Sequence, residues 1–186
     1  MKAIESLLSL KERVLKFMLD NDAFDFTPTN FLREIPLGLL RISSIRRHAV
    51  CRYKAGITKG MRTGPADVKE ICLHPISLYP EWIEYGEFLL YHEYIHALGL
   101  SNHGPYFRYL ESLWPNNKVM IVGSSFSQHL VLRNSKWLWS CMSCGFKSPR
   151  SIRNNARYAC SLCNIVLVDL PYTVDHEAND FGVSLT

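Results

Sequence analysis

His92, Glu93 and His96 occur as H-E-Y-I-H inside a stretch, Phe88 to Leu100, whose other residues are almost all apolar. On an α-helix, positions i and i+4 share one face, so the imidazoles of His92 and His96 converge on one point while Glu93 projects beside them. Phe88, Leu89, Leu90, Tyr91, Tyr94, Ile95, Ala97, Leu98 and Leu100 leave hardly any other polar surface, and a helix apolar nearly all round is a buried one. Buried imidazoles and a carboxylate without partners cost several kcal/mol, whereas a bound cation makes them ligands and a charge partner. With a further His, His103, eleven residues after His92 in N-H-G-P-Y-F, the cluster predicts a catalytic zinc site. The competing reading is a set of satisfied core histidines.

Four cysteines make a second metal pattern. Cys141, Cys144, Cys160 and Cys163 form C-x2-C-x15-C-x2-C, the spacing of a closed four-thiolate zinc site. Gly145 and Asn164 each follow a C-x2-C pair and tolerate the positive φ that a tight knuckle needs. Trp137 to Cys141, Arg157 to Cys160 and Ile165 to Val168 read as short strands, so this part resembles a zinc ribbon that takes much of its folding free energy from the metal. A disulfide framework or an iron–sulfur cluster are the alternatives. Cys51 and Cys72 stand on other predicted strands and read as core thiols, neighbours across a hairpin.

The remaining pattern is mixed. Ile4, Leu7, Leu8, Val14, Leu15 and Met18 fall at helical spacing over residues 4–20. Thr27 and Pro28 suit the cap and first turn of a short helix that Pro36 closes. Ala49 to Ala55 and Val68 to Leu73 alternate as strands and are expected to pair antiparallel. The metal-bearing helix is expected to start near Pro80 or Glu81 and to end near Gly99 in the left-handed conformation. Pro105 opens another helix with Phe107, Leu110 and Leu113 inward. The fold class is therefore α+β: a small antiparallel sheet packed on helices that include the H-E-x-x-H helix, followed by the ribbon. The expected division is 1–135, 136–172 and a loose tail over 173–186.

The 186 residues carry a net charge of +4, unevenly spread. Arg46, Arg47, Arg52 and Lys54 lie in one acid-free basic stretch, and Lys147, Arg150, Arg153 and Arg157 in another. These eight are candidate nucleic-acid contacts, set against the plainer reading of a solvated face. Trp137, Trp139, Phe146 and Tyr158 interleave with the second stretch and suit either stacking on unpaired bases or the ribbon core. No apolar signal region or bilayer-length run is found, so the expectation is a cytoplasmic, DNA-associated protein with no membrane contact, nuclear in a cell that has a nucleus.

With both metal patterns in view, the chain resembles the SprT-like zinc metalloproteases over roughly residues 40–170. The resemblance rests on R-R-H-A-V-C-R-Y-K, I-C-L-H-P, H-E-Y-I-H, H-G-P-Y-F and the cysteine ribbon, in that order. It implies a zincin-like domain in which His92, His96 and His103 hold catalytic zinc and Glu93 is the general base, while the four cysteines hold structural zinc. It also implies cleavage of proteins bound or crosslinked to DNA, single-stranded regions included, with no small-molecule cofactor. The interval from His96 to His103 is shorter than in Spartan-type members and closer to the related WLM group. Under the metzincin spacing the third ligand would fall on Asn102, which cannot replace imidazole, and Glu111 is the substitute in a two-His, one-Glu site. Three ligands leave one coordination position for water, beside Glu93 as base, and an edge strand at Val68 to Leu73 would pair with an extended substrate. The alternative function is a nucleic-acid-binding ribbon protein whose zincin domain is not proteolytic.

Overall fold

The computed structural model describes residues 2–25, 27–116 and 118–173. It divides into two compact units, Met1–Ser124 and Ser125–Thr186. The expected tail from Val174 onward and the side chain of Ile4 lie outside what is described.

In the first unit, helix α1 (Lys2–Leu19) buries Leu7, Leu10, Val14, Leu15 and Met18 and leaves Leu8 exposed. That is one apolar stripe at i, i+3/i+4. Phe17 packs edge-on against Tyr91 and Trp114, with ring centroids 5.5 and 5.0 Å away. The next short helix is a 3-10 turn over Thr29–Glu34, one residue later than expected, and Thr27 does not cap it. The Thr27 hydroxyl instead donates back to the carbonyl of Phe24 at 2.8 Å.

Strands β1 (Leu37–Leu39), β2 (Ala49–Tyr53) and β3 (Val68–Leu73) form a sheet of order β1-β3-β2. The β2–β3 pair is antiparallel as expected, with Arg52 opposite Glu70. The sheet as a whole is mixed, because β1 runs parallel to β3. This corrects two expectations: the sheet is not purely antiparallel, and Val68 to Leu73 is the central strand. The ladder extends past β1, since Ile71 N–H donates to the Pro36 carbonyl and Leu40 N–H to that of Leu73. β2 and not β3 therefore has an unpaired edge among the described residues. A third correction concerns the thiols. Cys51 stands opposite Ile71 and Cys72 opposite Val50, so the two side chains point to opposite faces.

Helix α2 (Ile83–Ala97) follows a 3-10 turn at Pro80–Trp82 and packs on α1, β2 and β3. Tyr85, Gly86, Phe88, Leu89, Leu90, Tyr91, Glu93, Tyr94, Ile95 and Ala97 are all buried, as an almost wholly apolar helix requires. Gly99 ends it at φ +97°, with the Thr63 carbonyl 2.9 Å from where a Cβ would stand. Helix α3 (Pro105–Ser112) buries Phe107 and Leu110. Helix α4 (Val119–Asn134) was not anticipated, and the division between the units falls within it.

The second unit holds strands β4 (Trp137–Ser140), β5 (Lys147–Arg150) and β6 (Val168–Pro171), antiparallel in the order β5-β4-β6. The first matches expectation. Arg157 to Cys160 and Ile165 to Val168 do not form the strands expected there and are joined by a single bridge between Ala159 and Val166. Asn154 explains how that region is held instead. Its buried amide donates to the carbonyls of Tyr158 and Leu167 and accepts from Tyr158 N–H. Trp139, Cys141, Cys160 and Leu167 form the small core. Among the described residues no helix is long and apolar enough to cross a membrane.

Candidate metal centre

α2 presents His92 and His96 on one face, and the left-handed turn at Gly99 returns the chain so that His103 joins them. One nitrogen from each ring lies within 4.8 Å of the others, a group that could hold a metal ion. His92 Nε2 and His103 Nε2 are 3.3 Å apart, which is about the separation of two ligands on a tetrahedral zinc with Zn–N near 2.05 Å. Phe107 of α3 packs against all three imidazoles, at centroid distances of 5.0, 4.6 and 4.6 Å.

The outward nitrogens are already engaged. His92 Nδ1 lies 2.7 Å from Glu111 Oε1, and His96 Nδ1 lies 2.7 Å from the Leu100 carbonyl. An ionised carboxylate and a carbonyl only accept, so both Nδ1 atoms donate and the lone pairs sit on the Nε2 atoms. Glu111 is also paired with Arg108. Its position behind His92 replaces the expectation that it could be a third ligand: it braces a candidate ligand.

Burial sets the protonation of the group. It holds His92 below its usual value despite the opposing pull of Glu111, and pushes His96 down to about 4 against the Leu100 carbonyl. Both imidazoles are therefore neutral at neutral pH, as metal binding needs. Glu93 is only 8% exposed. Burial raises its carboxyl to about 7, opposed by a hydrogen bond from the backbone N–H of Cys51 on β2. In Glu111, burial is outweighed by the hydrogen bonds from Arg108 and His92, and its carboxyl stays below the ordinary value.

Glu93, His96 and His103 line a cleft of about 260 Å³ whose other wall is β2, with Ala49, Val50, Cys51 and Tyr53, and whose rim includes Arg62 and Ser101. The Tyr53 hydroxyl donates to the His96 carbonyl at 2.9 Å and ties β2 to the end of α2. Burial pushes the Cys51 thiol up to about 12, so it is inert. A larger cavity of about 550 Å³ lies between Pro28, Phe31, Pro65 and Val68, but no histidine or cysteine lines it, so size alone does not mark the site.

Cys141, Cys144, Cys160 and Cys163 form the other group that could hold a metal, their sulfurs within 4.8 Å of one another. All four are free thiols, and the Cys141–Cys163 and Cys144–Cys160 sulfur distances are 3.2 and 3.5 Å. A tetrahedral zinc with Zn–S of 2.3 Å places its sulfurs about 3.8 Å apart. Gly145 and Asn164 take φ of 73° and 56°, and the N–H groups of Gly145 and Asn164 return to the carbonyls of Cys141 and Cys160. Backbone N–H groups, that of Cys144 foremost, hold the Cys141 thiol down at about 6.

The basic residues are less concentrated. Arg46, Arg47 and Lys54 are exposed, while Arg52 is paired with Glu70 at 2.9 Å. Arg150 lies over Trp139 at 5.1 Å and Arg153 over Trp137 at 4.0 Å. Arg157 is exposed and Lys147 half-buried. Trp139 belongs to the core of its unit and stacks on Tyr158, whereas Tyr158 is 57% exposed and Phe146 38%. Sequence reasoning missed two members of the site, Glu111 in its bracing role behind His92 and Arg62 in the cleft lining, because each reaches the site only through the fold. No family model, no curated protein and no solved structure matches the chain.

Proposed function

We propose that the chain is a zinc-dependent endopeptidase of the SprT-like type, acting on proteins bound or crosslinked to DNA. The observation that carries the reading is the convergence of three imidazoles, two of which line one cleft with a buried carboxylate, Glu93. His92, His96 and His103 would hold the catalytic zinc, and the four cysteines a structural one. A bound zinc would supply Lewis acidity, lowering the pKa of water towards 7 and polarising a scissile carbonyl.

Glu93 does the proton work. It accepts the proton of the attacking water and delivers it to the leaving amine, and the Cys51 N–H fixes its orientation. Glu111 and the Leu100 carbonyl keep His92 and His96 in the tautomer that leaves Nε2 free. The unpaired edge of β2 lines the cleft and takes over from β3 as the strand that would pair with an extended substrate. Such main-chain pairing tolerates many sequences, so restriction by DNA is a reasonable safeguard. Exposed Arg46, Arg47 and Lys54, and Arg157 with Tyr158 and Phe146 on the ribbon, are the candidate contacts. The test is proteolysis of a DNA-binding protein with and without single-stranded DNA, wild type beside Glu93→Gln. Cleavage that needs Glu93 and rises with DNA is expected; cleavage undiminished in Glu93→Gln would remove Glu93 as the base.

A further inference from the structure

Arg62 sits on the rim of the cleft that holds Glu93, His96 and His103. Its backbone is held through the residue that follows it. The next residue, Thr63, donates through its N–H and hydroxyl to Asp67 Oδ2 at 2.7 and 3.0 Å, and presents its carbonyl to Gly99 at the end of α2. The guanidinium carbon lies over the Tyr53 ring, 4.0 Å from its centroid, and Tyr53 is in turn tied to His96. This side chain is therefore placed against the cleft rather than swinging in solvent.

The guanidinium nevertheless has no hydrogen-bond or ion-pair partner among the described residues, and its Nε is fully buried. The cleft's own carboxylate, Glu93, is engaged by the Cys51 N–H instead. A half-buried charge without a counterion is costly, and the planar fork of arginine matches a carboxylate in bidentate fashion. The positive charge of Arg62 also acts on His96, Cys51 and Tyr53, so its field reaches the candidate metal site.

Resting on the endopeptidase reading for the kind of ligand, we infer that Arg62 is a specificity-determining residue that binds a carboxylate of the peptide substrate beside the three histidines. That carboxylate is either an acidic side chain near the scissile bond or the free C-terminus of a peptide. The guanidinium rests against Tyr53, and its N–H groups are left for the substrate.

The test uses the full, zinc-loaded chain carrying Glu93→Gln, with calorimetric binding of short peptides. One set is blocked at both ends and carries Asp or Glu at successive positions, each beside its Asn or Gln counterpart; a second set is neutral with a free C-terminus. The expected result is that one set binds roughly tenfold or more tightly than its uncharged counterpart. This preference is lost in Arg62→Gln and partly kept in Arg62→Lys, with both zinc ions retained. Which set shows it identifies the source of the carboxylate. Equal binding of acid and amide, preference that survives Arg62→Gln, or displacement of the acidic peptide by a short oligonucleotide at lower concentration would overturn the inference. Cleavage assays with Glu93 restored separate the two ideas. Peptide hydrolysis indifferent to charge sinks the role of Arg62 alone. An Arg62-dependent preference for acid without any hydrolysis sinks the endopeptidase reading and leaves the carboxylate site standing.

Discussion

Glu111 Oε1 lies 2.7 Å from His92 Nδ1, while the other nitrogen of the same ring, Nε2, is 3.3 Å from His103 Nε2. A carboxylate on one side thus fixes which nitrogen is offered on the other, and Arg108 holds that carboxylate in turn. Replacing such a partner typically costs 10–100-fold in metal affinity. Glu111→Gln should therefore weaken zinc binding at the histidine site by roughly that factor. Competition with a chelator of graded strength measures it, and the four-cysteine site in the same molecule, unaffected by the change, is the internal reference.

Glu93 predicts a pH signature for the protein stripped of its histidine-bound metal. Its carboxyl has an ordinary value of 4.5 and a folded value of about 7. Between these the folded chain binds more protons than the unfolded one, so stability is lost as pH rises through that window. Glu93→Gln removes the penalty and should be more stable than wild type above pH 7 by roughly 3 kcal/mol, with little gap near pH 4. His92 and His96, shifted downward, work in the opposite direction, but they are common to both proteins and cancel in the comparison. Denaturant titrations at several pH values check it; a constant difference across the range would contradict the burial argument.

Gly86 tests the packing of α2. Helix propensity alone predicts that Gly→Ala inside a helix stabilises by about 1 kcal/mol. A Cβ at Gly86, however, would collide with the Ser77 carbonyl, which is backbone and cannot step aside. Gly86→Ala should instead destabilise the first unit by about 2 kcal/mol, read as a lower thermal midpoint.

Cys160→Ser should release one zinc and unfold the second unit, whose core is built on Cys141 and Cys160 with Trp139 and Leu167. Hydrogen exchange is expected to lose protection over β4 while α2 keeps its own. Retention of protection in β4 would mean that this unit folds without its metal.

The parts of this structure that were legible in the chain are those governed by short-range spacing. Two histidines four apart, cysteines in C-x2-C pairs, and glycine or asparagine at a left-handed turn are local patterns, and His92, His96, Gly99, Gly145 and Asn164 all stand where those patterns put them. β1 escaped because three residues, Leu37–Leu39, are too few to show alternation, and without it the central place of β3 could not be seen. β5 carries Pro149, which argues against a strand except at an edge, the position it occupies. α4 mixes Gly123, Ser124, Ser125 and Ser127 with apolar residues on every side, so it shows no stripe of helical period. Glu111 and Arg62 were illegible for another reason. Glu111 reaches His92 from another helix and Arg62 lies over Tyr53 of β2, and no local pattern announces such meetings.

The central claim is that three imidazoles grip a metal beside Glu93. Crystals of the full chain, measured on either side of the zinc absorption edge, address it directly. Two anomalous peaks are expected, one among Cys141, Cys144, Cys160 and Cys163 and one bounded by the Nε2 atoms of His92 and His96 together with His103. A single peak at the cysteines, with the three histidine rings turned away from one another, would contradict the account.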